Sequence, residues 1–306
     1  MKRPAAILPD RGQGEGLLRY RDYDQAGLDA QYNNRALVPE HPAFIEAWEK
    51  RSAEARRHLS VDLDLAYGDD PRQRLDFFPA PQRDAPVLAF IHGGYWQALD
   101  KAHFSHIAPL FVAAGIAVAV LGYRLAPAQR MTEIAADICA ALAWLYRELP
   151  ALGGDRSRIH LAGHSAGGHL VSLAATTDWP SIAPELPPGL VRGVCSISGL
   201  YDLEPIRLSY LNAALALDEP EAAALSPMAT LPAKPSGPQL LAVGGLESAE
   251  YHRQQADYAA RLRAARHPVQ AIVLEGRHHF SAVDALAEPD SPLFEGVLRQ
   301  ILAPRF

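Results

Sequence analysis

The pattern of apolar and polar residues changes along the chain. Residues 1 to about 30 are polar and glycine-rich, which is typical of a partly ordered arm. Residues 61–67 alternate apolar and polar positions, as a half-buried strand does, and residues 75–78 follow as a hairpin partner across the turn at 68–71. The pattern therefore predicts antiparallel strands at the start of a sheet.

From residue 87 onward, short apolar runs alternate with stretches of helical periodicity. Predicted strands cover residues 87–91, 116–122, 158–162, 191–197, 239–243 and 269–274. Predicted helices cover residues 102–114, 131–149, 167–176, 251–266 and 292–302, and in the second of them Ile134, Ile138, Leu142 and Leu145 form one apolar stripe. This alternation predicts an α/β fold with a mostly parallel sheet and helices on both faces. Functional groups are then expected on loops at the carboxyl ends of the strands.

Residues 201–235 interrupt the alternation and are rich in leucine, alanine and proline. We interpret them as a small cap inserted over the functional site. The remainder of residues 31–306 then forms one α/β domain, which the arm of residues 1–30 precedes.

One serine lies in a pentapeptide that is typical of a nucleophile. The sequence GHSAG, residues 163–167, stands between a predicted strand and a predicted helix. A Gly-x-Ser-x-Gly turn holds its serine in a strained conformation with only small neighbours, so we expect the hydroxyl of Ser165 to project at the tip of the turn. Because about one chain in ten of this length would match by chance, the surrounding residues must support the interpretation.

A second motif follows the predicted strand at residues 87–91. The sequence HGGYW, residues 92–96, places two glycines where backbone N–H groups are not covered by side chains. We expect the N–H groups of Gly93, Gly94 and Ala166 to bind an oxyanion. Tyr95 and Trp96 either stack on an aromatic leaving group or pack in the core, and the sequence leaves both alternatives open.

A serine nucleophile needs a base, and the base needs an acid that orients it. In this fold class the chain order is serine, acid, histidine. Glu247, after the strand at 239–243, is the acid that this order favours, and Asp202 is its rival. The last strand is followed by His278 and His279, and spacing alone does not decide which of them is the base.

Composition narrows the class of protein. The chain has 306 residues, 49% apolar residues and a net charge of −6, without a dense run of Lys or Arg, which argues against a nucleic-acid surface. It contains no run of about 18 apolar residues, so no membrane span is predicted. The histidines and the two cysteines lack metal-binding spacing, so no metal or cofactor is predicted. We expect a cytoplasmic protein that acts on a small-molecule substrate; a homodimer is compatible with the sequence.

These motifs together resemble the α/β-hydrolase superfamily and, within it, the hormone-sensitive-lipase-like branch. The match extends to the arylformamidase (kynurenine formamidase) group from about residue 30 to the carboxyl end. It rests on YNNR at 32–35 with Val38 and Pro39, HGGYW at 92–96 with Lys101, GHSAGGHL at 163–170 and SGLYDL at 198–203.

The resemblance implies specific roles and a substrate class. It favours His279, which stands directly before Phe280, as the base, and it places the acid in the segment that contains Glu247. The family usually has aspartate there; glutamate is one methylene longer and can still accept the imidazole hydrogen bond. The implied reaction is hydrolysis of an N-formyl aryl amide such as N-formylkynurenine. The alternatives are a carboxylesterase for short-chain or aryl esters and, more distantly, a ligand receptor without activity on the same fold.

Overall fold

The structure is a computed structural model that describes residues 17–232 and 237–303. Its centre is a sheet whose strands lie in the order β1-β2-β4-β3-β5-β6-β7-β8. Only β2 pairs antiparallel with its neighbours, and the other pairs are parallel. The strands are β1 (Asp62–Ala66), β2 (Arg74–Phe78), β3 (Ala85–Ile91), β4 (Ala117–Leu121), β5 (Gly154–His164), β6 (Val191–Ile197), β7 (Gln239–Gly244) and β8 (Val269–Leu274). The predicted α/β fold with antiparallel strands at its start is confirmed.

Helices cover the sheet, and short helices lie in the connections. In the described part of the chain the α-helices are α1 (Gln25–Tyr32), α2 (Asn34–Leu37), α3 (His41–His58), α4 (Ala108–Ala113), α5 (Met131–Leu152), α6 (Ala166–Ala174), α7 (Trp179–Ile182), α8 (Glu204–Leu208), α9 (Asn212–Leu215), α10 (Glu219–Ala224), α11 (Ala249–Ala264), α12 (His279–Ala282) and α13 (Pro292–Leu302). None of the described helices is long and apolar enough to cross a bilayer.

The central strands are apolar on both faces because each face packs against its own core. All of β3 is buried. Val87 and Ala89 belong to one hydrophobic cluster, whereas Leu88 and Phe90 belong to the cluster on the opposite side. Since neighbouring residues of a strand point to opposite faces, an unbroken apolar run is what a strand between two helical layers requires.

The predicted helix at residues 102–114 is wrong in its first half. Two short 3₁₀ turns, Lys101–His103 and Ser105–Ile107, precede α4. Pro109 lies in the first turn of α4, where N–H groups make no intrahelical hydrogen bond, so the lack of an N–H costs nothing. Further inside a helix, the proline ring would clash with a preceding carbonyl. The α-helix therefore begins directly before the proline.

The folded part of the chain begins before the boundary predicted at residue 30. Asp24 caps α1 by accepting a hydrogen bond from the N–H of Gly27, and Leu28 and Tyr32 on this helix are completely buried. The first sixteen residues of the predicted arm lie outside the described residues. In the predicted cap, the described residues 201–232 carry α8, α9 and α10, and residues 233–235 lie outside the described part.

Candidate active site

Ser165 lies at the turn between β5 and α6. Its backbone has φ 58° and ψ −118°, a strained conformation for a residue with a side chain, and its N–H donates to the carbonyl of Ile197 at 2.8 Å. A Cβ on Gly163 would collide with the carbonyl group of Gly167, and a Cβ on Gly167 would collide with the carbonyl of Ile91. The two glycines therefore permit a turn that is too tight for any other residue, as the pentapeptide predicts.

His279 connects Ser165 to Glu247. The Oγ of Ser165 is 3.0 Å from Nε2 of His279, and Nδ1 of the same ring is 2.7 Å from Oε2 of Glu247. The carboxylate accepts a hydrogen bond from Nδ1–H, so Nε2 is left as the acceptor for the serine hydroxyl. All three side chains are almost completely buried. The structure thus brings together the three residues that the sequence favours as nucleophile, base and acid.

The second oxygen of Glu247 is fixed by other donors. Oε1 accepts hydrogen bonds from the N–H of Gly244 at 2.8 Å and from the hydroxyl of Ser198. Ser198 itself has a positive φ of 51°, and its N–H donates to the carbonyl of Ala242. The longer glutamate side chain is therefore held at both oxygens, which makes its extra methylene compatible with a fixed position.

The rival acid and the rival base lie elsewhere. Asp202 accepts hydrogen bonds from the hydroxyl of Tyr20 and from the N–H of Glu204, so it braces the loop before α8. His278 precedes α12 and accepts a hydrogen bond from the N–H of Ser281 through Nδ1. The alternatives that the sequence left open are thus separated by position: only Glu247 and His279 are connected to Ser165.

His164, next to the serine, holds the backbone of the base. Its Nε2 donates to the carbonyl of His279 at 2.9 Å, and the two rings are 4.8 Å apart. Burial keeps the pKa of His164 well below its ordinary value, so the ring stays neutral. A neutral ring next to the base adds no charge that would oppose protonation of His279.

The glycine loop, residues 92–96, lies beside the serine turn. An added Cβ on Gly93 would lie 3.0 Å from the Cβ of Ser165, so the glycine loop packs directly against the nucleophile. Within residues 17–232 and 237–303, the N–H groups of Gly93, Gly94 and Ala166 have no hydrogen-bond acceptor. Ala166 is the first residue of α6, where N–H groups lack intrahelical partners. These donors are available to a ligand.

His92 fixes the glycine loop from behind. Its Nδ1 donates to the carbonyl of Gly93 at 2.8 Å, its ring stacks on Tyr123 at 4.3 Å, and the Tyr123 hydroxyl donates to the His92 carbonyl. Complete burial lowers the pKa of His92 to about 4. The contacts of His92 therefore brace the glycine loop.

A cavity of about 270 Å³ opens in front of Ser165. Its walls come from α2, α3, the glycine loop, the predicted cap and α12. The lining residues are Asn33, Asn34, Arg35, Ile45, Trp48, Gly94, Tyr95, Gln97, Ala98, Leu99, His164, Ser165, Tyr210, Leu211, His279 and Phe280. In the described part of the chain, no group of three or more His, Cys, Asp or Glu residues is arranged to hold a metal ion.

Comparison with known proteins gives the family. The BD-FAE family model matches residues 75–219. Kynurenine formamidase of Danio rerio is 28% identical over 267 residues, which cover 85% of this chain and 88% of that protein. Esterase LipC of Mycobacterium tuberculosis is 37% identical over 142 residues, which cover 45% of this chain and 35% of that protein. A crystal structure of a proposed thioesterase from Silicibacter sp. TM1040 is 30% identical with a TM-score of 0.79, and the match covers 90% of this chain and 99% of that one.

The chain belongs to the α/β-hydrolase superfamily. Within it, the chain lies in the branch of arylformamidases and hormone-sensitive-lipase-like esterases, and it is a hydrolase. The sheet order and the serine turn described above are the features of an α/β-hydrolase that this chain preserves.

Tyr95 and Trp96 have different surroundings in this α/β-hydrolase. Tyr95 lines the cavity. Trp96 is completely buried in the core, packs edge-on against His169 and does not line the cavity. Of the two roles that the sequence leaves open for Trp96, core packing is the one that its surroundings show, and the substrate-binding role is not supported. Both residues have positive φ, so the loop turns sharply and sends adjacent side chains in different directions.

Sequence reasoning missed a polar cluster beside the α/β-hydrolase nucleophile. Asn34 donates one amide hydrogen to the hydroxyl of Tyr95 at 3.0 Å and the other to the hydroxyl of Tyr251 at 2.8 Å. Tyr95 donates to the carbonyl of Tyr32, so its oxygen can accept from Tyr251, 2.7 Å away. The Tyr251 ring lies 4.8 Å from His279, and its hydroxyl faces Ser165. The YNNR motif was the available signal, but the partners of Asn34 lie 61 and 217 residues away in the chain.

Proposed function

We propose that this α/β-hydrolase cleaves an N-formyl aryl amide of the N-formylkynurenine type through Ser165, His279 and Glu247. The observation that carries the proposal is the hydrogen-bonded chain from Ser165 Oγ through His279 to Glu247. Beside it lie three backbone N–H groups that have no acceptor in the described part of the chain. Similarity to kynurenine formamidases along most of the chain supports the substrate class. A cavity of about 270 Å³ supports a small substrate, since pockets for drug-sized ligands span about 300–1,000 Å³.

Each residue has a defined task in this reaction. His279 takes the serine proton through Nε2 while Ser165 attacks the formyl carbon. Glu247 holds the ring and stabilises the imidazolium that forms. The N–H groups of Gly93, Gly94 and Ala166 receive the developing oxyanion, and loss of one such donor typically costs about 3–4 kcal/mol of transition-state stabilisation. His279 then protonates the departing aryl amine, and water hydrolyses the formyl-enzyme by the same route.

The chemistry of the substrate fits the site. A formyl group needs almost no acyl pocket, so the cavity is left for the leaving group. Three aromatic residues line that cavity: Tyr95, Trp48 and Phe280. Aromatic rings of this kind can stack on an aryl amine. An aryl amine also departs more readily than an alkyl amine because its lone pair is delocalised.

A carboxylesterase for short-chain or aryl esters is the second candidate. Similarity of nearly half of the chain to esterase LipC favours it. Both candidates use the same catalytic residues, so the acyl group and the leaving group of the substrate separate them.

The test compares kcat/KM for N-formyl-L-kynurenine and p-nitrophenyl acetate, with Ser165→Ala as the blank. A formamide preference of about 10²-fold or more supports the formamidase, whereas strong ester turnover with negligible formamide cleavage supports the esterase. Loss of the nucleophile should lower turnover by about 10⁶-fold. Covalent labelling of the wild type, but not of Ser165→Ala, by a fluorophosphonate would rule out a receptor without activity.

A further inference from the structure

Among the described residues that line the cavity, Arg35 is the only one with a permanent charge. This described part of the lining contains no Asp, Glu or Lys. Among the described residues, Arg35 forms no ion pair or side-chain hydrogen bond. Asp29 lies nearby on α1, but its carboxylate accepts hydrogen bonds from Gln25 and from the N–H of Tyr210 instead. The chain as a whole has a net charge of −6, so a cation in this cavity is a local exception.

Asn33 adds a neutral donor next to this cation. Its Oδ1 accepts a hydrogen bond from the N–H of Ala36 and caps α2, so the amide is oriented with its Nδ2 left to donate. Asn33 lines the same cavity as Arg35. Neither the guanidinium nor the amide N–H₂ has an acceptor among residues 17–232 and 237–303, and a carboxylate can accept hydrogen bonds from both groups.

The position of α2 relates these donors to the nucleophile. Asn34, between the two, contacts Tyr251, whose hydroxyl faces Ser165. Residues 33–35 line the same cavity as Ser165, and a leaving group bound beside Ser165 would occupy this cavity. Tyr210, from the predicted cap, lines the same cavity and lies close enough to Arg35 for an electrostatic interaction with its guanidinium.

We propose that Arg35 and Asn33 bind a carboxylate on the leaving group of the substrate. This inference rests on the proposed function, because it assumes that Ser165 attacks the acyl carbon while the leaving group occupies this cavity. In this inference Arg35 and Asn33 determine substrate specificity. They bind an aryl formamide or aryl ester that carries a carboxylate, and a neutral counterpart of the same substrate lacks this contact. Arg35 and Asn33 are specificity residues and take no part in bond breaking.

The test uses two matched pairs of substrates. The formamide pair is N-formyl-L-kynurenine and its α-carboxamide, and the ester pair is 4-acetoxyphenylacetate and 4-acetoxyphenylacetamide. Within each pair only the carboxylate changes, so the ratio of kcat/KM for carboxylate over carboxamide measures recognition of charge. Comparison between the pairs measures preference for formamide or ester, which keeps the two proposals separate.

Three variants complete the experiment. Arg35→Ala removes the cation. Asn33→Asp retains an oxygen that can cap α2 while it replaces the free donor with a carboxylate. Arg261→Ala, at an exposed position of α11, is the control for loss of a positive charge. Thermal unfolding of each variant shows whether the fold is retained.

In the wild type we expect a ratio of about 10 or more in the pair that is cleaved, the effect of a charge-assisted hydrogen bond. Arg35→Ala should lower this ratio by about fivefold or more, mainly through KM. Asn33→Asp should lower the ratio more than Arg35→Ala does, because its carboxylate repels the carboxylate of the substrate. Arg261→Ala should leave the ratio unchanged. High salt should also lower the ratio in the wild type. A wild-type ratio near 1, or the same ratio in Arg35→Ala, overturns the inference. Cleavage of the ester pair alone with the ratio retained supports the inference and contradicts the formamidase.

Discussion

Glu247 binds His279 with one carboxylate oxygen and the backbone of its own loop with the other. Oε2 lies 2.7 Å from His279 Nδ1, and Oε1 accepts from the N–H of Gly244 at 2.8 Å. The carboxylate is therefore positioned from both sides, and its length matters as much as its charge. Aspartate, which the arylformamidases usually have here, would need a different backbone position to make both contacts.

We expect Glu247→Gln and Glu247→Asp to show how much the charge and the length of the Glu247 side chain each contribute to kcat. The amide keeps the length but cannot stabilise the imidazolium, so kcat should fall by about 10²–10⁴-fold. Aspartate keeps the charge but cannot reach both His279 and Gly244, so kcat should fall by about tenfold. The measurement is kcat on whichever substrate is cleaved, with Asp202→Asn as the matched control for the rival acid. Wild-type kcat in Glu247→Gln would exclude Glu247 as the catalytic acid.

Two glycines allow a test of the serine turn. A Cβ on Gly163 would collide with the carbonyl group of Gly167, whereas a Cβ on Gly153, at the end of α5, would meet no atom within 4 Å although φ there is +84°. We expect Gly153→Ala to cost about 1 kcal/mol of unfolding free energy through backbone strain alone, without loss of activity. Gly163→Ala should displace Ser165 and abolish activity. The measurements are urea unfolding and kcat; equal activity in the two variants would mean that the turn tolerates a side chain at Gly163.

Much of the fold could be predicted because local patterns determine it. The strand at residues 239–243 and the GHSAG turn each depend on residues that are adjacent in the chain. The direction of individual side chains could not be predicted in the same way. Tyr95 and Trp96 are neighbours of similar chemistry, yet the positive φ of both residues turns one into the cavity and the other into the core.

The polar part of the site depends on contacts between distant segments. Asn34 and Tyr251 are 217 residues apart, and nothing in either local sequence indicates that their side chains meet. The choice between His278 and His279 has the same origin, since both follow the last strand and only the start of α12 determines which ring faces Ser165. The resemblance to a family could favour His279 because the relatives share the fold, and the fold determines which histidine of this loop reaches the serine.

The hydroxyl of Tyr251 should matter for both activity and stability. Tyr251→Phe removes an acceptor for Asn34 and a polar group that faces Ser165, and it leaves a buried amide hydrogen unpaired. We expect kcat/KM to fall by about tenfold and the unfolding free energy to fall by about 1–3 kcal/mol. Tyr258→Phe is the matched control, because Tyr258 lies two turns along α11 and stacks on Tyr201 away from the cavity. An equal effect of the two variants on kcat/KM would show that the hydroxyl of Tyr251 has no special role.

Buried neutral histidines make the fold sensitive to acid. Burial lowers the pKa of His160 to about 4, and it also lowers the pKa values of His92 and His169 to about 4. An unfolded histidine has a pKa of about 6.5, so between about pH 6.5 and pH 4 the unfolded chain binds more protons than the folded protein. Stability from these groups is therefore complete above pH 6.5 and is lost as the pH falls toward 4.

Replacement of one buried histidine should reduce the dependence of the unfolding free energy on pH by a defined amount. Each buried imidazole contributes a slope of up to about 1.4 kcal/mol per pH unit within that window. His160→Gln, on β5 and outside the cavity lining, should lower the slope of unfolding free energy against pH by about this amount, as measured by urea unfolding from pH 7 to pH 5. His58→Gln, at the exposed end of α3, is the control for replacement of a histidine on the surface. A slope in His160→Gln equal to that of the wild type would mean that the His160 pKa is the same in the folded and unfolded protein.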